Sequence, residues 1–223
     1  MSRNLSRRAA LLTLLGGGGT ALAANTAATH KVFVPVARKV SGVAGHPTPG
    51  SCLTAAEADM GARVNAARAA SNLPAVPLST SLCTVAQWHV IDMFTNHPAS
   101  GTDPRGMPCN LHSWSNKGIW SPVCYTSDHF YANGMWNKPR EISAGAYSAN
   151  GYENAYSGPA SDPQIAAHAV VLWLDDPPHA DVILERGIWA GSNWQAMGTG
   201  VFNGYAVLWF GQLADPLGTI RAC

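Results

Sequence analysis

The chain has 223 residues, enough for one hydrophobic core of good size. Hydrophobic residues make up 47% and charged residues only 12%, about half the ~25% usual in globular domains, which excludes a disordered polyelectrolyte. The formal net charge of +1 leaves no basic footprint for a nucleic acid. Arg3, Arg7 and Arg8 precede the apolar run Ala9–Leu15, and Ala21-Leu-Ala23 supplies a small-residue cleavage pattern, so residues 1–23 read as an export signal. Ser6-Arg-Arg8 also fits a twin-arginine signal, and the choice between the two export routes stays open. The apolar run is too short to span a bilayer, which takes about 20 residues, and no later segment reads as transmembrane.

Residues 24–50 form a polar lead-in with a short strand pattern at Lys31–Val36, and the domain is expected over 51–223. Thr54 with Glu57 three residues later makes a capping box for a first helix, with Met60, Val64 and Ala67 on one face and Leu73-Pro74 ending it. A second helix starts at Ser79 or Thr80 and buries Leu82, Val85, Ala86, Val90 and Met93. His89 shares that stripe and reads as a hydrogen-bonded core histidine. Residues 96–160 are dominated by Gly, Pro, Ser, Asn and Trp, and so long an irregular stretch is usually functional. Trp114, Trp120 and Trp136 there either line a cleft or pack into the core.

Asp162 as N-cap and Pro163 at the first position open a third helix whose apolar face is Ile165, Ala169, Leu172 and Trp173. Pro177-Pro178 stops it, and a short helix from His179 to Glu185 follows. Strands at Trp194–Val201 and Tyr205–Phe210 flank Asn203-Gly204, where both positions tolerate positive φ, a strong hairpin signal. Five cysteines suit an oxidising compartment. A Cys109–Cys124 bridge would stiffen the backbone around His112 and stabilise by roughly 3 kcal/mol. A Cys52–Cys223 bridge would tie the domain ends, and Cys83 reads as a small buried hydrophobe. The pairing among Cys52, Cys83 and Cys223 is open at this level.

Four segments in order carry a family resemblance: Val64-Asn-Ala-Ala-Arg68 with Leu73-Pro74, Ser81–Val90, Gly151-Tyr-Glu-Asn154, and Trp173 with Pro177-Pro-His179 followed by Met197–Gly200 and Tyr205–Gly211. Together they resemble the CAP superfamily of secreted proteins, as a bacterial exported member. The resemblance implies an α+β fold, an α-β-α sandwich around a central antiparallel sheet. It also implies a cleft edged by His112, Glu153, Asp176 and His179. Asp176 stands where eukaryotic members often carry Glu, so either Asp175 or Asp176 is the inward acid. A helix N-terminus at His179 disfavours the imidazolium and favours a neutral, ligand-competent ring.

The leading expectation is a monomeric binding module, secreted or in the periplasm or cell envelope, for a small molecule, lipid or envelope component. Zn²⁺ or another divalent cation on His112 and His179 is an accompanying option. The alternative is a metal-dependent hydrolase with Glu153 as catalytic general base, and a third reading is a scaffold without chemistry. His97 and His129 are alternative ligands in polar loops. Ser113 beside His112 is a poor nucleophile geometry, and no Gly-x-Ser-x-Gly elbow, HExxH, phosphate loop or paired CxxC framework is present.

Overall fold

The structure is a computed structural model that describes residues 43–160 and 163–223. The export signal, the strand pattern at Lys31–Val36 and the Asp162 cap lie outside the described residues. Helix α1 (Ala55–Ala70) starts at the capping box, with the Glu57 N–H donating to Thr54 Oγ1 and the Thr54 N–H to Glu57 Oε2. Helix α2 (Thr80–Asn96) is capped by the Ser79 hydroxyl and ends at His97, whose φ of 48° is left-handed. The central stretch contains more order than its composition predicts. Short helices α3 (Ala132–Trp136) and α4 (Lys138–Ile142) precede strand β1 (Gly151–Ser157).

Helix α5 (Ile165–Asp175) and helix α6 (Pro177–Ile183) meet at the Pro177-Pro178 stop, and strands β2 (Ala196–Phe202) and β3 (Tyr205–Gly211) close the chain as the expected hairpin. Asn203 and Gly204 both take positive φ there, 41° and 86°. The sheet is antiparallel in the order β1-β3-β2, so β1 is an edge strand.

Period-two alternation along β3 divides the core. Val207 and Trp209 face a cluster with Leu82, Val85, Trp114 and Trp120, built from α2 and the central loops. Ala206, Leu208 and Phe210 face the other cluster, with Met60 and Val64 of α1, Ala169 and Trp173 of α5 and Ile183 of α6. This is the α-β-α sandwich. Trp114 and Trp120 are therefore core residues, 2% and 7% exposed.

Both expected disulfides, Cys52–Cys223 and Cys109–Cys124, are present, and Cys83 is free and buried. Leu53 also pairs with Ala222 beside the first bridge. Among the described residues, no helix is long and apolar enough to cross a membrane.

Candidate functional site

Glu153 lies mid-way along β1 opposite Trp209 of β3, with its side chain on the α2 face of the sheet. Its side chain has no solvent exposure. Each oxygen takes one imidazole: His89 Nδ1 lies 2.5 Å from Oε1, and His112 Nδ1 lies 2.8 Å from Oε2. His89 comes from the middle of α2, stacks on Trp114 at 4.0 Å between ring centroids, and donates from Nε2 to the Ser113 carbonyl at 3.0 Å. A carbonyl only accepts, so Nε2 carries a hydrogen, and a proton must also sit between Nδ1 and the carboxylate. Burial would raise the Glu153 pKa, but the charge on His89 and the hydrogen bonds from His112 and His89 outweigh it and hold the carboxyl below its ordinary value.

The loop carrying His112 is held from several sides. The His112 N–H donates to Asn110 Oδ1, Trp114 pairs with Val123 in an antiparallel bridge, and the Cys109–Cys124 disulfide closes the base. The Ser113 hydroxyl accepts from the Tyr125 N–H at 2.9 Å and is buried, which gives it a structural role and removes it as a nucleophile. The Tyr125 ring leans on His112, and its hydroxyl meets His129 Nδ1 at 2.8 Å. Burial and the nearby Glu153 charge push the Tyr125 phenol up. His112 thus donates inward from Nδ1, while Nε2 has no partner among the described residues and the side chain is 20% exposed.

On the opposite face of β1, the Asn154 side chain donates to the His179 carbonyl at 3.1 Å. His179 Nδ1 in turn bonds the Asp176 carboxylate across the first turn of α6. Asp176, rather than Asp175, is the acid that meets His179. Both line a groove of about 370 Å³ with Tyr156, Leu172 and Trp173.

The four expected residues therefore come together as two pairs, one on each face of the edge strand, with no bond between the pairs. Among the described residues, no group of three or more His, Cys, Asp or Glu side chains is placed to hold a metal ion. His89 joins the site from the apolar stripe of α2. It is a core histidine, and its hydrogen-bond partner is the site carboxylate. A fully buried imidazole requires partners for both nitrogens. That requirement pointed toward an acid, but not to Glu153, 64 residues away.

Residues 62–189 match the family model described as CAP: Cysteine-rich secretory protein family. The match covers more than half of the chain, and the chain belongs to this family. In structure it is similar to an extracellular protein containing a SCP domain from Bacillus anthracis, at 18% identity and a TM-score of 0.43, over 70% of this chain and 39% of that one. It is also similar to a cysteine-rich secretory protein from Staphylococcus aureus, at 16% identity and a TM-score of 0.40, over 70% of this chain and 37% of that one. An outer surface protein from Borrelia burgdorferi matches at 14% identity and a TM-score of 0.43, over 70% of this chain and 91% of that one. The chain spans less than two fifths of the length of the first two. No curated protein matches it in sequence.

Proposed function

We propose that this CAP-domain protein is an exported, monomeric binding module that takes a small molecule, lipid or envelope component at the β1 edge, with His112 as its polar anchor. One observation carries the reading: Glu153 fixes Nδ1 of His112, leaving Nε2 as a partly exposed, oriented valence at the end of a buried hydrogen-bonded chain. The two disulfides suit an oxidising compartment outside the cytoplasm. A divalent cation fits poorly, because both Glu153 oxygens already hold imidazoles, and His112 and His179 belong to separate pairs.

The test is calorimetric titration of the metal-stripped mature domain with Zn²⁺, and separately with a fluorescent fatty acid, beside His112→Ala and His179→Ala. Binding of the fatty acid weakened by roughly tenfold in His112→Ala supports the anchor role. Unchanged binding in both variants removes it, while saturable Zn²⁺ binding lost in both restores the cation. The hydrolase reading draws on the same acid–imidazole pair, since a carboxylate that orients a histidine is also the form of a general base. With Glu153 fully buried, that base is His112. Ester turnover abolished by both His112→Ala and Glu153→Gln would establish it.

A further inference from the structure

The groove on the α5–α6 face of β1 has a chemistry of its own. Tyr156 supplies aromatic surface, over a floor formed by the buried Trp173, whose indole donates to the Ala155 carbonyl at 3.3 Å. Leu172 stands at the rim, 50% exposed, next to Val171 at 62%. These two give α5 an outward apolar strip that its packing against α1 does not use. The polar side is acidic: Asp176 meets His179, whereas Asp175 is the one described side-chain carboxylate with neither a hydrogen bond nor an ion pair. Every other described acid is engaged, down to the exposed Asp59 with Arg63 and Asp181 with Arg186.

An unpaired carboxylate, aromatic surface and an apolar rim around one concavity complement a cation that carries its charge on a bulky apolar group. A bare metal ion would find too few ligands there, and a neutral sugar would leave Asp175 without a counter-charge. We propose that this groove binds a quaternary or alkylated ammonium group, with Asp175 as counter-ion, Tyr156 as the π face and Leu172 against the alkyl substituents. Its volume of about 370 Å³ is ample to admit such a group. The same headgroup chemistry is available from free choline or from a choline-bearing lipid. The proposal shares Asp176 and His179 with the cleft reading above and rests on it to that extent, but its ligand contacts do not involve His112.

The experiment is calorimetric titration of the full chain with choline, with the neutral isostere in which carbon replaces the quaternary nitrogen, and with phosphatidylcholine vesicles. Choline is expected to bind, the neutral isostere to bind at least roughly tenfold more weakly, and Asp175→Asn and Tyr156→Leu each to weaken choline by roughly fivefold or more. Asp175 is exposed, so its variant leaves folding intact. Tighter binding to vesicles than to choline assigns the source to a lipid surface, and binding to choline alone assigns it to the free cation. Equal binding of the neutral isostere, choline affinity unchanged in Asp175→Asn, or no binding to either source overturns the proposal. His112→Ala is expected to leave choline binding unchanged. Loss of fatty-acid binding in that variant with choline retained speaks only to the cleft reading, and the converse pattern speaks only to this one.

Discussion

Two buried carboxylates gather imidazoles. Glu153 holds His89 and His112, and Glu57 of α1 holds His46 at 3.1 Å. The His46 side chain is 1% exposed, and its other nitrogen donates to the Pro47 carbonyl at 2.8 Å. Burial opposes charge on this ring, yet the hydrogen bonds to Glu57 and Pro47 and the Glu57 charge lift its pKa above the ordinary 6.5. A raised folded-state pKa adds stability below pH 6.5 that is lost as pH climbs through the folded value. His46→Gln should therefore lower the melting temperature by roughly 5 °C at pH 6, with the gap closing toward pH 9. Melting curves of both proteins across that range test it, and a gap constant with pH would refute the charged pair. Glu153 has the opposite sign. Its depressed pKa adds stability above the ordinary carboxyl range that is lost on acidification through the folded value. Glu153→Gln leaves His89 buried beside a neutral amide and should cost about 3 kcal/mol near neutral pH in urea denaturation, with the cost shrinking in acid.

Among the elements, the contact between α2 and β2 is the tightest in the molecule. A Cβ built at Gly198 would lie 2.2 Å from the Leu82 carbonyl oxygen, and one at Gly200 would lie 2.4 Å from that of Ala86. These neighbours are helix backbone and cannot swing aside, so the helix rests directly on the strand. Gly200→Ala should destabilise by about 3 kcal/mol in denaturant, through a forced shift of α2 that also carries His89 away from Glu153. Such backbone approach explains which elements were legible in the sequence. α1, α2 and the β2–β3 hairpin announce themselves through a capping box, an apolar stripe and Asn203-Gly204. Strand β1 does not, because Gly151-Tyr-Glu-Asn-Ala-Tyr-Ser157 contains no β-branched aliphatic residue and is extended by pairing with β3. Glu153 was visible only as part of a motif. That its side chain turns toward α2, away from Asp176 and His179, follows from strand alternation, and a segment read as a loop has no alternation to read.

The described domain is a sheet with a core on each face, tied by a disulfide between Cys52 and Cys223. Cys52 and Cys223 are 171 residues apart in sequence, while Cys109 and Cys124 are 15 apart. Loop-closure entropy makes the first bridge worth about 5 kcal/mol and the second about 3 kcal/mol. Cys52→Ser/Cys223→Ser should accordingly shift the urea midpoint more than Cys109→Ser/Cys124→Ser, while the latter should cost more of the binding that depends on His112. The reverse ranking in either assay would mean that native-state packing, and not chain closure, sets the value of these bridges. Residues 43–50 belong to the same frame: His46 reaches Glu57, and the Gly50 N–H donates to Gln87 of α2. The Cys52–Cys223 bridge also has a mechanical meaning. Tension applied at Ser51 and Cys223 would load a covalent S–S bond that bypasses the sheet and both cores. A pull between these two points would then be carried without extending the domain, and the sheet and both cores would keep their shape under a force that unravels an unbridged domain.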